Sequence, residues 1–451
     1  MTTTDDKWIT TYQDAWEYLD QLQMHKIKLG LEAMQTVLAE LESPERACPA
    51  VHVAGTNGKG SVCEMLRSIM THAGYRTGLY TSPHLSSVRE RFRIGNSYIS
   101  EDDFTRLMEQ IRCALKGKTI TYFECATALA FSWFAEQSCD LVIIETGMGG
   151  RLDATNVLEP LLSVITTVSL DHEQYLGDSV ESIAFEKAGI IKEATPVISG
   201  VLDGGPRSVI EQTCRDRRAP LFTRTRDYFL EKASDKSWIW RGLDGAMVDD
   251  VSLPAGGIWQ VDNVASAISA AVLLRDRGFL IPDEAIRRGL SRAHWPGRME
   301  LLKVSLPVKK RNDPEQTEPP VALDFLLDGA HNEAAVRLLA EALETVAGYD
   351  RILLIWASMA DKNYAGLLNA IAGKADYLFF TRPDTERAAA PRDLAAALDS
   401  AVATPYECLL RVSDALARVE VLARPGDLVV VAGSLYLIGE FRKLLVGEVT
   451  G

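Results

Sequence analysis

Short apolar segments, each followed by a segment with helical periodicity, recur along the first half of the chain. They include AVHVAG, TGLYTS, LVIIETG, LLSVITTVS and PVISG. Segments of this length, ended by Gly, Ser or Thr, are typical of strands that are buried on both faces of a parallel sheet. The pattern therefore predicts an α/β fold in which parallel strands alternate with helices.

The alternation changes in the middle of the chain and then resumes. Around WIWRGLDGAMVDDVSLPAGGIWQ, short and turn-rich runs predict a small antiparallel region. A helical stretch begins at Asn263, and HWPGRME then carries Pro296 and Gly297, which indicate a linker. The apolar runs return in DFLLDGAHN, RILLIWAS, YLFFTRP and DLVVVAGS. We predict one domain over residues 1–295 and a second, smaller α/β domain over residues 296–451.

One segment near the start of the second domain lacks the apolar pattern. The sequence PVKKRNDPEQTEPP, at residues 307–320, is charged and rich in proline. Such a composition favours a solvated loop, and we assign it no role.

Composition and charge narrow the classes of partner. The chain has 451 residues, of which 47% are hydrophobic and 24% charged, as in a globular protein of two or three domains. Its net charge of −14 argues against nucleic-acid and anionic-membrane surfaces, because both need clustered Lys and Arg. No signal sequence is evident, and no stretch approaches the roughly 20 apolar residues that span a bilayer, so we expect a cytoplasmic protein. Seven cysteines without a C-x-x-C pair signal neither a zinc site nor a disulfide framework.

The stretch AGTNGKGS lies between a predicted strand and a predicted helix, where a phosphate-binding loop is expected. Gly55, Gly58 and Gly60 let backbone N–H groups converge on an anion, and the helix N-terminus adds its dipole. Lys59 supplies charge to the phosphates, and the Ser61 hydroxyl is a candidate magnesium ligand. A glycine stands between Lys and Ser, unlike the general pattern, so a glycine-rich turn that only opens a helix is the alternative.

Two further strand ends offer ligands for a metal ion. LVIIETGMGGRLDATN places Glu145 at the carboxyl edge of a strand, where α/β sheets bind their ligands, and SLDHEQYLG places Asp171 and His172 similarly. Magnesium takes hard oxygen ligands and usually shares nucleotide phosphates. Each of these residues, taken alone, is equally well a surface residue. Lys187 follows Glu186 in FEKAGIIK, and the residues alone favour a solvated lysine there.

Ten stretches form a specific pattern from about residue 28 to residue 440. They are LGLE, HVAGTNGKGSV, YTSPHLSSVRERF, TYFECATALAF, IETGMGGRLDATN, DHEQYLG, EKAGIIK, WPGRME, DGAHN and GSLYLIGE. In this order they resemble folylpolyglutamate synthase and dihydrofolate synthase, within the Mur-ligase superfamily of ATP-dependent amide-forming ligases. The Gly-Lys-Gly-Ser order of the phosphate loop is the form that this family uses.

The resemblance implies an overall architecture and a set of ligands. It implies an N-terminal P-loop ATPase domain with a mostly parallel sheet, a smaller Rossmann-like C-terminal domain, and ATP bound between them. It also implies ATP and two Mg²⁺ ions as cofactors. The implied substrates are L-glutamate and either dihydropteroate or a folate, and the implied oligomeric state is a monomer.

The resemblance also implies a role for each residue at a motif position. The ATP-binding residues would be Gly55, Thr56, Asn57, Gly58, Lys59, Gly60, Ser61, Asn263, Arg298, Asp328 and His331. The metal ligands would be Ser61, Glu145, His172 and Lys187, the last of these as a carbamate. The catalytic residues would be Lys59, His172, Lys187 and Arg298. The pterin or folate pocket would comprise Ser82, Pro83, His84, Phe123 and Asp153.

The implied reaction joins L-glutamate to a carboxylate that ATP has first converted to an acyl phosphate. The pocket residues do not separate dihydropteroate from folate as the acceptor, and we expect both activities. A muramyl-peptide Mur ligase is one alternative, but such enzymes usually carry an extra N-terminal domain, for which a phosphate loop beginning at residue 55 leaves no room. A regulatory P-loop ATPase is another, but it would not explain the pocket motifs.

Overall fold

The structure, a computed structural model, describes most of the chain. The described residues are 8–24, 30–202, 204–242, 245–254, 256–306, 309–310, 313–317 and 320–447.

The strands, numbered in chain order, form four sheets within these residues. They are β1 (Ala50–Ala54), β2 (Thr77–Tyr80), β3 (Phe92–Ile94), β4 (Ser97–Tyr98), β5 (Leu141–Glu145), β6 (Leu162–Ile165), β7 (Val197–Ser199), β8 (Leu221–Thr223), β9 (Phe229–Lys232), β10 (Trp238–Arg241), β11 (Met247–Val251), β12 (Glu300–Leu306), β13 (Lys309–Lys310), β14 (Asp313–Thr317), β15 (Val321–Asp328), β16 (Arg351–Trp356), β17 (Tyr377–Phe380), β18 (Tyr406–Cys408) and β19 (Asp427–Ala432).

The α-helices connect and cover these strands. They are α1 (Tyr12–Gln21), α2 (Glu32–Glu40), α3 (Lys59–His72), α4 (Glu101–Leu115), α5 (Tyr122–Glu136), α6 (Glu173–Leu176), α7 (Val180–Ala188), α8 (Gly204–Asp216), α9 (Val261–Arg275), α10 (Asp283–Arg292), α11 (Glu333–Thr345), α12 (Tyr364–Ile371), α13 (Pro391–Ala396), α14 (Val412–Leu422) and α15 (Leu435–Val446).

The larger sheet has eight strands in the order β4-β3-β2-β5-β1-β6-β7-β8. The strands from β2 to β8 in this order run parallel, and β3 and β4 extend one edge with antiparallel pairing. Every residue of β1 and β5 is buried, as expected for strands that are covered on both faces. The strands predicted from the first apolar segments are therefore confirmed.

Helices cover both faces of this sheet. Along β5, Leu141 and Ile143 pack into a core with α3, α9 and α10, whereas Val142 and Ile144 pack into a core with α1, α2, α4 and α5. Successive side chains of a strand point to opposite faces, so one strand serves both cores. Glu145, at the carboxyl end of β5, lines a cleft together with Leu435 of α15.

The turn-rich region folds as predicted, into an antiparallel three-stranded sheet in the order β11-β10-β9. Helix α9 follows it and packs against α3 and β6. The segment Gly257–Arg275, which contains α9, is long and apolar enough to cross a membrane on those two criteria, contrary to the expectation from the sequence. Its burial in the core accounts for its composition, because a helix in the middle of a large core is apolar on most sides.

The second sheet has six strands in the order β12-β15-β19-β16-β17-β18. Strand β12 pairs antiparallel with β15, and the other neighbours run parallel. The alternation of strands and helices predicted for the second half of the chain is confirmed. Residues 293–299 join α10 of the first unit to β12 of the second.

The charged segment at residues 307–320 is not wholly a loop. Its described part contains the two-stranded antiparallel pair β13 and β14, so the prediction of an irregular loop is wrong for those residues. Backbone pairing between nearby residues forms without an apolar core, which is why the polar pattern did not indicate it. Residues 307–308, 311–312 and 318–319 of this segment, and Leu29 of the LGLE stretch, lie outside the described residues.

Candidate active site

The loop between β1 and α3 has the backbone of a phosphate cradle. Gly55 and Gly58 have φ angles of 153° and 84°, in the region that side chains disfavour, and Gly58 is the N-cap of α3. A Cβ on Gly58 would collide with Oδ1 of Asn263, and a Cβ on Gly60 would lie 2.8 Å from the Trp295 ring. The loop therefore requires glycine at these positions, and two predicted nucleotide-binding elements, the loop and Asn263, are adjacent.

Lys59 lies over this loop. Its Nζ donates to the carbonyl oxygens of Gly55 at 3.0 Å and Thr56 at 3.2 Å. Thr56 and Asn57 are anchored to the end of β6 by hydrogen bonds, including one from the Asn57 N–H to Oγ1 of Thr167 at 3.0 Å. The ammonium group of Lys59 is thus held above the N-terminus of α3. Its charge and the positive end of the helix dipole both favour binding of an anion.

Glu145 ends β5 beside the phosphate loop and faces a cleft. Its Oε2 accepts a hydrogen bond from the Ser82 N–H at 3.0 Å. Burial raises the pKa of Glu145, and the opposing charge of Lys59 only partly offsets this effect. A buried carboxylate that lacks a full set of donors is stabilised by a cation.

The cleft runs between the two units and has a volume of about 530 Å³ including its open mouth. Predicted site residues in its lining are Gly60, Ser82, Pro83, His84, Glu145 and Arg298. Trp295 and Leu435 complete the wall from the linker and α15. The cleft therefore brings the phosphate loop, the candidate metal ligand and the candidate substrate loop together.

A polar network joins the phosphate loop to the second unit. The side-chain amides of Asn57 and Asn332 exchange hydrogen bonds of 3.1 and 2.9 Å. Lys362, which follows β16, donates to Oδ1 of Asp171 at 3.1 Å. Burial raises the pKa of Asp171, but the charges of His172 and Lys362 outweigh this and hold it at about 2. Asp171 is therefore an interface residue and not an isolated surface residue, whereas His172 beside it is exposed.

Lys187 is buried in α7 and is not the solvated lysine that its local sequence favours. Its ammonium group makes no hydrogen bond or ion pair with the described residues, and the residue is 3% exposed. Burial, followed by the charge of Lys59, lowers the pKa of Lys187 to about 7. Glu186, its neighbour in sequence, pairs instead with Arg151 at 2.8 Å. A large fraction of Lys187 is therefore a neutral amine near pH 7.

Asp328 and His331 lie where β15 meets the linker. The Asp328 carboxylate accepts from the N–H groups of Met299 at 2.7 Å and Ala330 at 2.9 Å, which fixes the linker against the second sheet. Nδ1 of His331 donates to the carbonyl oxygen of Gly329 at 2.7 Å. Burial lowers the pKa of His331 to about 4, so the imidazole is neutral near pH 7.

Two residues of the predicted pterin or folate pocket do not line the cleft. The ring of Phe123 packs beneath Gly147, where a Cβ would lie 2.6 Å from it. Asp153 is buried, and its carboxylate accepts from the Met148 N–H and from both the N–H and the hydroxyl of Thr155. Asp153 therefore organises its own loop, with its oxygens already engaged.

The described residues contain no group of three or more His, Cys, Asp and Glu side chains that is close enough to hold a metal ion. Glu145 and Ser61 lie by the phosphate loop, while His172 and Lys187 lie on the next loop and helix. A cation at either place would have to complete its coordination with ligands from a substrate or with water, as magnesium does at nucleotide sites.

Comparisons with known proteins agree with this arrangement. The Mur ligase middle domain matches residues 53–203, and the Mur ligase glutamate ligase domain matches residues 316–435. The dihydrofolate synthase/folylpolyglutamate synthase of Bacillus subtilis is 35% identical over 97% of this chain and 99% of its own length. The chain belongs to this family. As a member it is an ATP-dependent ligase, and the muramyl and regulatory alternatives are not supported.

Solved structures of the family share the whole fold. Escherichia coli FolC in complex with DHPP and ADP has a TM-score of 0.84, with 30% identity over 96% of this chain and 97% of that one. The bifunctional enzyme of Yersinia pestis, complexed with AMPPNP and a Mn ion, has a TM-score of 0.83, with 29% identity over 98% of this chain and 99% of that one. The two-domain α/β fold predicted from the sequence is thus confirmed.

Some residues of the site carried no assignment from the sequence. Asn332 lies within the DGAHN stretch, and Lys362 and Trp295 follow a strand and a helix, respectively. Polar residues just after a predicted strand were the available signal for Lys362. No periodicity could show that Asn332 meets Asn57, because they lie 275 residues apart.

Proposed function

We propose that this ligase joins L-glutamate to dihydropteroate and to the glutamate tail of reduced folates. The observation that carries the proposal is the cleft between the two units, in which Gly60 of the phosphate loop, Glu145 and Arg298 meet the Ser82–Pro83–His84 loop. A phosphate loop, a carboxylate for a cation and a wall for a second substrate are the parts that ATP-dependent acyl activation needs.

In the proposed reaction an oxygen of the acceptor carboxylate attacks the γ-phosphorus of ATP. The bond from that phosphorus to the β,γ-bridging oxygen breaks, which yields ADP and an acyl phosphate. The neutral amine of L-glutamate then attacks the acyl carbon, inorganic phosphate leaves and the amine loses a proton. The phosphate makes the carboxylate oxygen a good leaving group, so no side-chain nucleophile is required.

The phosphate loop would bind the nucleotide through backbone N–H groups, with Thr56 and Asn57 shaping it. Lys59 would move from its carbonyl partners to the phosphates, because these carry a full negative charge. Asn263 beside Gly58 would contact the nucleotide. Arg298 and Asp328 at the linker, with His331, would contact it from the second unit. These residues lie at one interface between the two units, which supports their roles in nucleotide binding.

A divalent cation fits the residues present. Glu145 is a buried carboxylate with an incomplete set of donors, and the Ser61 hydroxyl lies at the start of α3. They would hold a first Mg²⁺, and His172 and a carbamylated Lys187 would hold a second. Bound cations would neutralise charge on the transferring phosphoryl group. We propose two ions because these ligands form two separate pairs.

Carbamylation of Lys187 is supported by its environment. A neutral amine attacks carbon dioxide, and the pKa of about 7 leaves much of Lys187 neutral at physiological pH. The amine nitrogen forms a bond to the carbon of CO₂ and releases one proton, which leaves an anionic carbamate. An anion here would be stabilised by the nearby charge of Lys59.

The acceptor would lie along the Ser82, Pro83 and His84 loop, with Phe123 and Asp153 shaping the pocket from behind. His84 is held by a hydrogen bond of 2.9 Å between its Nδ1 and Nε of Arg91. Since nothing in this wall excludes either acceptor, both activities are proposed. We further propose a domain boundary before Pro296, a monomer, a cytoplasmic location, and neither nucleic-acid nor membrane partners.

Phosphate release with ATP, Mg²⁺ and L-glutamate tests the proposal, in parallel with dihydropteroate and with a reduced folate. Turnover with both acceptors is expected, and each product should gain the mass of one glutamate residue. Turnover with a single acceptor would restrict the function to that acceptor. Release with neither acceptor, from protein that binds ATP, would overturn the proposal.

A further inference from the structure

A chain of hydrogen bonds leads from the centre of β1 to the loop at residues 146–157. Nε2 of His52 lies 2.8 Å from Oγ1 of Thr155. That hydroxyl donates to Oδ1 of Asp153 at 2.5 Å, and the Thr155 N–H donates to the same oxygen at 3.1 Å. Oδ2 of Asp153 accepts from the Met148 N–H at 2.9 Å. The imidazole in the middle of the sheet is therefore linked to both ends of one loop.

The direction of these bonds fixes the state of His52. Because the only hydroxyl proton of Thr155 is given to Asp153, Oγ1 accepts from His52, and Nε2 carries the ring proton. Nδ1 is buried with no partner, so the other tautomer would bury an unpaired N–H donor. The residue is wholly buried, and the ring stays neutral.

Packing alone does not call for histidine at this position. Ala50 and Ala54, which share a face of β1 with His52, are apolar and buried, and an apolar side chain would leave no unsatisfied ring nitrogen. What histidine adds is one oriented N–H aimed at Thr155. That N–H prevents the threonine hydroxyl from turning away from Asp153.

The loop fixed in this way supports the acceptor pocket. Gly147 packs directly on the Phe123 ring, and Asp153 is the N-cap of the short helical turn at Ala154–Val157. Strand β1 also leads into the phosphate loop three residues after His52. One residue therefore ties the strand that carries the ATP loop to the loop behind the acceptor.

We propose that His52 is a positioning residue for the acceptor: through Thr155 it holds Asp153 and the 146–157 loop in the conformation that the acceptor pocket requires. This inference rests on the proposed function. His52 itself touches no substrate.

Two substitutions separate positioning from packing. His52→Met removes the N–H and keeps a buried apolar side chain, and His52→Gln restores an N–H at the position of Nε2. We expect His52→Met to raise KM for the acceptor that the unaltered enzyme uses, dihydropteroate or a reduced folate, by about tenfold or more, as misplacement of a supporting group does. KM for ATP should change less than about twofold. His52→Gln should recover most of the loss.

Ser163→Ala is the matched control. Ser163 lies beside His52 in the register of β1 and β6, and its hydroxyl donates to the carbonyl oxygen of Ile190 at 3.0 Å. This variant loses one buried hydrogen bond outside the chain from His52 to Asp153. We expect it to lower the midpoint of thermal unfolding and to leave KM for both substrates unchanged.

The outcomes distinguish the inference from the proposed function. Turnover by the unaltered enzyme with either acceptor establishes the function before variants are compared. An unaltered KM for the acceptor in His52→Met, equal rises in KM for acceptor and ATP, or no recovery in His52→Gln would overturn the positioning role alone. If His52→Met does not fold, Thr155→Val, which breaks the same chain of hydrogen bonds within the loop, must raise the acceptor KM for the inference to stand.

Discussion

At the residue scale, two lysines of the site differ in their surroundings. Lys59 donates to two backbone carbonyl oxygens above the phosphate loop, whereas Lys187 is buried without a partner among the described residues. Burial penalises the charged form of an amine, so the two side chains are suited to different chemistry. Lys59 is suited to binding anions, and Lys187 to reaction with carbon dioxide.

Removal of the Lys59 ammonium should abolish turnover. We expect Lys59→Ala to lower kcat by at least about 100-fold, because a charge aimed at the phosphoryl group is lost. The midpoint of thermal unfolding should stay close to that of the parent, since Lys59 is only partly buried. Lys303→Ala, on an exposed side chain of β12, is the control for phosphate-release assays. Near-normal turnover of Lys59→Ala would contradict the assignment of the phosphate loop.

Lys187 should carry a carbamate in the presence of bicarbonate. We expect one carbamate signal in carbon-13 NMR after incubation with labelled bicarbonate, because the pKa of about 7 exposes a neutral amine. Lys187→Met should lose both this signal and activity. Lys192→Met is a matched control, since burial also lowers the pKa of Lys192, but its Nζ is bonded to the carbonyl oxygen of Asn156. A signal that persists in Lys187→Met would refute the modification.

At the element scale, the strand-loop-helix unit of β1 and α3 determines where the nucleotide binds. The loop closes against Asn263 of α9 on one side and against Thr167 after β6 on the other. Its two glycines with positive φ allow this close approach. The loop of this unit is therefore in contact with other elements of the fold on both sides.

Gly58 should not tolerate a side chain. Its φ of 84° disfavours alanine, and the Cβ would collide with Asn263. We expect Gly58→Ala to weaken ADP binding by about tenfold or more, since a strained position costs roughly 1–2 kcal/mol before the collision is added. Isothermal titration with ADP measures the change.

Gly373→Ala is the control, because a Cβ there meets open space. Unchanged ADP affinity in Gly58→Ala would show that the loop adapts without cost.

At the scale of the whole molecule, polar contacts join the two units at the cleft. The amide pair of Asn57 and Asn332 and the ion pair of Asp171 and Lys362 lie at one end. Beside the linker, the buried Glu300 at the start of β12 accepts from Arg442 at 3.1 Å and from the Gly297 N–H at 2.8 Å, which holds the linker to the second unit. Polar groups at such an interface can change partner and bond to a charged substrate, so they suit a binding site between two domains.

Stability should decrease in mild acid because three histidines keep neutral rings in the folded protein. Burial lowers the pKa of His52 and His84 to about 3 and that of His331 to about 4. An unfolded histidine has a pKa near 6.5, so below that pH the unfolded chain binds more protons than the folded one. The free energy of unfolding should therefore fall as the pH decreases from about 6.5 to about 4.

Urea unfolding at pH 7.0, 6.0 and 5.0 measures this effect. We expect the midpoint to fall with pH in the parent and to fall less steeply in His52→Gln, which lacks one of the three rings. A midpoint that is independent of pH over this range would contradict the burial of neutral histidines.

Much of the fold followed from local pattern. Each apolar run in the first half became a parallel strand, because strands buried on two faces must be apolar along their length. The phosphate loop was also predictable, since its glycines and Lys59 are contiguous. The pair β13 and β14 was missed because its polar sequence has no apolar alternation.

The sequence by itself determined the α/β class, the phosphate loop and the order of the motifs, because each depends on residues close together in the chain. Only the tertiary structure decided that Lys187 is buried with a lowered pKa, that the oxygens of Asp153 are engaged by its own loop, and that His52 reaches that loop. Burial and the pairing of distant side chains depend on how the strands and helices pack, and this packing cannot be read from the local sequence.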